Sequence, residues 1–329
     1  MSAKKATCIF LLLQSLLISN AGLRALGGLS YSLATRLDLG FGNAAYDLKV
    51  DDSVPFVHSR LDFPLDGIYP SLQFTLDYSA DGSAADWKGI AELKFNISAP
   101  QGLFIDQDWW EFPGTPRILW SYTESGTSLQ YFLARLELNR FWTRISEDRL
   151  SVYYHGGFSF ERMYWTANNI NGWQYVWNTG TSSYDLYSVK YYDKALTYEL
   201  FYYTPYLGLL LSDRILPELV LNLSADFLLP IMLDRDDHLL RNKLSTAAGL
   251  GVGYKLAGSL KWNFRKTRNR PAWSLGLDAS VRGSYVNSKQ RQEWYGPDGA
   301  TPAGTVFTDI GHVVSLFQPA VGFSVGAGW

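Results

Sequence analysis

From Leu29 onward, apolar side chains fall on every second position. Leu29, Tyr31, Leu33, Leu37, Leu39 and Phe41 alternate with Ser30, Ser32, Ala34, Arg36, Asp38 and Gly40. Successive side chains of a strand point to opposite faces, so this period of two predicts a strand with one apolar and one polar face. The pattern returns at Trp87, Ala91, Leu93, Phe95 and Ile97, and at Phe132, Ala134, Leu136, Leu138 and Trp142. It returns again at Leu150, Val152, Tyr154, Phe158 and Phe160, and at Leu219 through Leu233 on odd positions. Trp273 to Val281 and Val321 to Trp329 complete the series. Ten strands are predicted, over 29–46, 55–80, 86–98, 126–144, 150–166, 190–211, 217–236, 243–265, 271–288 and 310–329. The second is interrupted by Pro64, Gly67 and Pro70, residues that weaken a strand interior.

Several runs exceed the roughly five or six residues usual in soluble sheets. The run ending at Leu233 is long enough to cross a bilayer at a tilt and project beyond it. Tyr and Trp near the strand ends suit the interfacial girdles of a membrane barrel, and an even strand number suits its closure. A terminal aromatic, Trp329, closing an alternating strand resembles the C-terminal signal of bacterial outer-membrane barrels. The expectation is an all-β chain, a ten-stranded antiparallel transmembrane β-barrel with long extracellular loops. A secreted β-sandwich is the alternative.

Composition narrows the choice. Hydrophobic residues make up 47% and aromatics 16%, with 12 Trp and 21 Tyr, which excludes a disordered chain. The longest apolar stretch, Ile9 to Ile18, is too short for a helical span. That stretch follows Lys4 and Lys5 and precedes Ser19-Asn20-Ala21, the layout of a secretory signal peptide. Residues 1–21 are therefore expected to be a signal peptide and 22–329 the barrel. Cys8, the single cysteine, would leave with the signal. A net charge of −2 carries no nucleic-acid footprint.

With the N-terminus on the periplasmic side, connections after the odd strands face outward. Residues 99–125 and 167–189 lack alternation and are expected to be long outer loops, whereas 146–149 and 212–217 are short inner turns. The basic run Arg265–Arg270 is expected to be a solvated turn.

Two clusters carry chemistry. In Asp234-Arg235-Asp236-Asp237-His238 the outward set is odd-numbered, so Asp234, Asp236 and His238 are expected to point into the barrel. A carboxylate two residues from a histidine can fix its tautomer and raise its basicity, as a general base requires. In Asp106-Gln107-Asp108-Trp109, two acids at i and i+2 can hold a water or share a proton. Alone, either motif also fits a solvated acidic loop.

Together, Asp106-Gln107-Asp108-Trp109 and the later Asp234-x-Asp236-acidic-His238 resemble the omptin family of outer-membrane proteases. The spacing from Gly42 to Asp62 and the segment Pro205-Tyr206-Leu207-Gly208-Leu209 extend the resemblance over essentially the whole mature chain. It implies an outward-facing endopeptidase cleft. His238 would be the general base toward a water, Asp236 would support its imidazolium, and Asp106 and Asp108 would position the water or stabilise the oxyanion. No acyl-enzyme is implied, since no activated Ser or Cys is visible.

In omptins two acids select Arg or Lys before the scissile bond. One maps to Asp234. The other falls at Tyr46, with Asp47 next to it, so Tyr46 could offer a cation–π contact or be an interfacial aromatic. The resemblance also implies lipopolysaccharide, or another outer-membrane lipid, as activator, and only Arg162 matches the basic pattern for it; Phe201 stands where another Arg is expected. No metal or other cofactor is expected. The partners would be peptide or protein substrates near basic residues and membrane lipid, with no nucleic acid, and the barrel would be a monomer.

Three other classes stay open: a non-catalytic adhesin or receptor, a narrow pore, and a lipid-modifying barrel using His155 with Ser151 or Ser159 on strand five. Lumen packing is the plainer reading of that last trio.

Overall fold

The computed structural model describes residues 28–50, 56–79, 85–146, 149–264, 272–299 and 301–329. The proposed signal peptide, Cys8 and the basic run 265–270 lie outside the described residues. Fourteen strands are present: β1 Leu29–Gly40, β2 Asn43–Val50, β3 Phe56–Pro64, β4 Gly67–Tyr78, β5 Trp87–Phe95, β6 Phe104–Glu111 and β7 Ile118–Arg144. They continue with β8 Leu150–Asn178, β9 Ser183–Leu216, β10 Leu219–Leu228, β11 Ile231–His238, β12 Lys243–Asn263, β13 Ala272–Trp294 and β14 Val306–Gly328.

The fourteen form ten staves, because β1/β2, β3/β4, β5/β6 and β10/β11 are each one stave interrupted by a short break. Gly42, at φ 95°, lies in the first break, and a Cβ there would stand 2.0 Å from the Phe317 carbonyl oxygen. Every pairing between staves is antiparallel, and β1 closes on β14 through a register running from Ser32↔Gly328 to Gly40↔Ala320. The ring leaves no edge in its lower half, the physical requirement for backbone that meets lipid. The outer surface there carries Leu37, Leu93, Leu136, Leu209, Phe227, Leu233, Leu250, Leu277 and Phe323, all exposed. Above that band the outward side chains become charged, with Arg235, Arg291 and the Arg162–Glu199 ion pair at 2.6 Å.

The long loops expected at 99–125 and 167–189 are instead paired strands. β6 continues the third stave between β3 and β7, and β8 and β9 extend as a tall hairpin closed by residues 179–182. Alternation is absent there because these segments rise above the apolar band and have no lipid-facing side to keep apolar.

The interior is layered. At the lower end, nearer Leu29 and Trp329, it is polar: Arg282 grips Glu161 at 2.6 and 2.8 Å, Lys94 meets Asp38 at 2.5 Å, and Arg135 meets Glu92 at 2.9 Å. Arg282, Glu161, Lys94, Arg135 and Glu92 line a cavity of about 340 Å³. Above it lies an apolar septum to which every stave contributes. It includes Tyr46, Phe63, Phe104, Tyr131, Trp165, Tyr198, Leu200, Met232, Ala247, Val286 and Val314, each buried. Rings pack closely within it, Phe63 on Tyr198 at 4.5 Å and on Trp165 at 5.2 Å. The upper rim, opposite the end that holds Leu29 and Trp329, stands on this septum.

Candidate active site

The septum sets the floor, and the strands that pass through it carry polar side chains up into the rim. On β11 the inward series is Met232, Asp234, Asp236 and His238, while Leu233 and Arg235 point outward. The parity expected from the sequence therefore holds. The chain then turns through the 3-10 segment Leu239–Arg241 and left-handed Asn242, φ 49°, before descending as β12. On β6, Phe104 lies in the septum and Asp106 and Asp108 follow on the same face, toward the rim. They are partly exposed.

His238 Nε2 lies 2.8 Å from Asp236 Oδ2, leaving Nδ1 as the ring nitrogen free of that carboxylate. Asp236 is 1% exposed and His238 14%, so the acid is enclosed and the base reaches solvent. The Tyr46 hydroxyl donates to the same Asp236 oxygen and lies 3.5 Å from His238 Nε2. Tyr46 has no exposed surface and packs on Phe63, Tyr198 and His312. It is therefore neither an interfacial aromatic nor a surface offered to a substrate cation. It supports Asp236 from below.

The acid pair and the Asp–His pair lie near enough to influence each other electrostatically. Burial holds the Asp106 carboxyl well above the usual carboxylate range, with the Asp108 and Asp236 charges adding to the effect. Burial also raises Asp108, partly offset by a hydrogen bond from Ser59 and by the Arg241, Lys243 and His238 charges. Burial resists ionisation of Asp236 too, but the charge and hydrogen bond of His238 outweigh it and hold the carboxyl low. Burial lowers His238, and the Asp236 charge restores only part of that shift. These shifts favour an ionised Asp236 beside a neutral imidazole, and they favour retention of a proton by the acid pair.

Asp234 lies one step deeper. Its carboxylate has no exposed side-chain surface; it accepts from the Tyr198 hydroxyl at 3.0 Å and lies 3.2 Å from His312 Nε2. His312, in turn, is held through Nδ1 by the Ser288 hydroxyl at 2.8 Å. Tyr198, His312 and Ser288 were not legible as site neighbours in the sequence. Neither was Lys243, a buried cation whose charge bears on Asp236, Asp106 and Asp108. Tyr198 and Lys243 stand on the two strands paired with β11, opposite Asp236 and His238, whereas His312 and Ser288 come from strands not paired with it.

Arg162 is on the outer wall, as expected, but Glu199 already pairs with it and the Phe201 ring lies 6.0 Å from its guanidinium. An anionic lipid would have to compete with that carboxylate. His155 is inside the lower lumen. It pairs with Asp226 at 2.7 Å instead of with a serine. Among the described residues no group of three or more His, Cys, Asp or Glu side chains is arranged to hold a metal ion.

No protein-family model and no curated protein matches the sequence. Among solved structures, the outer membrane protease OmpT from Escherichia coli superposes over 90% of this chain and 96% of that chain, with a TM-score of 0.68 and 14% identity. The outer membrane protein OprG from Pseudomonas aeruginosa aligns over 92% of this chain and 96% of that one, at 11% identity and a TM-score of 0.31. The likeness to OmpT is a likeness of fold: an antiparallel β-barrel of the outer-membrane kind, traced over nearly its full length.

Proposed function

We propose that the protein is an endopeptidase of the bacterial outer membrane, with the rim cleft facing outward. The observation that carries the proposal is the hydrogen-bonded array Tyr46–Asp236–His238 opposite Asp106 and Asp108. A binding surface has no use for a buried, ionised carboxylate aligned on a solvent-reaching imidazole.

Neutral His238 takes a proton from a water in the cleft, and the water oxygen attacks the peptide carbonyl. Asp236 stabilises the imidazolium, and Tyr46 fixes the Asp236 oxygen that does so. The protonated member of Asp106 and Asp108 donates a hydrogen bond to the developing oxyanion, and the other orients the water. The imidazolium then returns its proton to the departing amine. Substrates would be peptides or proteins, and the barrel would work as a monomer. A preference for basic residues rests on Asp234 alone, whose carboxylate is enclosed by Tyr198 and His312.

The test is digestion of a diverse peptide library by refolded wild type, His238→Ala and Asp108→Ala, with and without lipopolysaccharide. Cleavage sites are read by mass spectrometry. Cleavage by wild type only is the expected result, and a cluster of sites after Arg or Lys would restore Asp234 as a selectivity residue. A folded wild-type barrel that cleaves nothing under either condition overturns the proposal in favour of a non-catalytic barrel.

A further inference from the structure

The strand beside the candidate base does not end where its neighbour does. β9 is paired on one side with β10 and then with β11, up to the last pair, Leu196↔His238. On its other side it stays paired with β8 up to Ser183↔Asn178. Over Ser183–Tyr191, therefore, one side of β9 is satisfied by β8, while among the described residues no strand lies along the other. Nine residues of open edge stand about 30 Å tall. A bulge separates this edge from the cleft, and there the Lys194 N–H is turned to the Asp193 side chain at 2.9 Å.

The free edge rises above the end of β11, and so above His238. The hairpin that carries it is braced against the acid pair's strand. Tyr184 meets the Trp110 ring at 4.7 Å and the Trp177 ring at 4.9 Å, and Trp110 stacks on Trp120 at 5.4 Å. Trp110 shares the face of β6 that carries Asp106 and Asp108. Along the edge itself, Leu186 is 60% and Tyr187 48% exposed.

An unpaired strand edge has one natural ligand, another extended backbone, whose N–H and C=O groups complete the ladder while side chains of alternate residues meet the two faces. We infer that the open edge of β9 over Ser183–Tyr191 is a docking strand for an extended segment of the polypeptide substrate, which continues the line of β11 beyond His238. The inference rests on the proteolytic reading for the identity of the ligand, but its geometry stands apart from the chemistry. Antiparallel pairing is slightly the more stable arrangement, and it sends the residues C-terminal to the scissile bond up along β9. The substrate class is then unfolded or loosely held chain. A compact domain cannot present several consecutive backbone groups to an edge. Asp185 and Lys190 on this edge, with Asp193 and Lys194 at the bulge below it, are charges of the kind that keep an edge from pairing with copies of itself.

The experiment measures docking without turnover. Fluorescent 16-residue unstructured peptides are titrated by anisotropy into the folded His238→Ala barrel, with single backbone N-methyl groups scanned along the peptide. N-methylation at positions facing the edge is expected to weaken binding about tenfold, and at the intervening positions hardly at all. In the wild type, lengthening a short substrate by six residues on its C-terminal side is expected to raise kcat/KM about tenfold, and lengthening its N-terminal side to change it little. Binding that ignores N-methylation, or a dimer seen by ultracentrifugation that buries the edge and excludes peptide, overturns the docking strand. A gain confined to the N-terminal extension overturns the antiparallel polarity. Alternating sensitivity in the His238→Ala barrel without any wild-type cleavage would keep the docking strand and sink the peptidase instead.

Discussion

Of the Asp–His pairs inside this barrel, two are closer than 3 Å, one on each side of the septum. His238–Asp236 and His155–Asp226 have nearly the same geometry, at 2.8 and 2.7 Å. Their surroundings differ. His155 and Asp226 are 2% and 3% exposed, in a lumen where charged groups of both signs neutralise one another. His238 reaches solvent at 14%, and the groups opposite it are two acids that resist ionisation. The same dyad is a structural tie in one place and, in the function proposed above, a base awaiting a substrate in the other. Access and an unneutralised partner across a gap make the difference, and the dyad itself does not.

The largest effect that could break this contrast is expected from His238→Ala, which should lower kcat/KM by about 10²–10⁴-fold, the range for loss of a general base. His155→Ala should leave peptide cleavage within about twofold. It should cost about 1–3 kcal/mol in denaturant titrations of the refolded barrel, because Asp226 loses its buried partner. If the two variants lost activity equally, the distinction would collapse. Asp106→Asn and Asp108→Asn should each lower kcat by about 10²-fold with little change in KM, since their work is done on the developing oxyanion.

Smaller effects sharpen the comparison. Tyr46→Phe should reduce kcat by about tenfold, the weight of one hydrogen bond to a charged acceptor. It should also move the acid limb of activity upward, because an Asp236 freed from the hydroxyl stabilises the imidazolium more. The pH profile of the wild type is the gentlest test. Burial lowers His238, so activity should persist below pH 6.5 and fall only as the imidazole gains its proton. Burial raises Asp106 and Asp108, so a second fall is expected at higher pH, as the shared proton is lost. Activity that rises as pH drops through the His238 titration would contradict the base role.

The period-two alternation made the ten staves legible because lipid on one side forces an apolar face. It failed above the membrane band, at 104–111, 118–125, 167–178 and 183–189, where both faces of a strand meet water or protein and no alternation is imposed. The two motif pairs were legible for a related reason. Asp234, Asp236 and His238 inherit their facing from an apolar strand immediately before them. The support of the site was not legible. Tyr46 reaches Asp236 across 190 positions, and His312 reaches Asp234 only through closure of the ring. Local pattern fixes which way a side chain points, but the shear of the barrel decides what it meets.

The septum bears on more than the floor of the cleft. With a ring of side chains from all ten staves packed across the bore, the septum separates the rim from the polar lumen below it. In the proposed reaction, water drawn in at the rim, protons exchanged there and fragments released there would all return to the compartment they came from. A cell could place many copies in its envelope without making that envelope leakier.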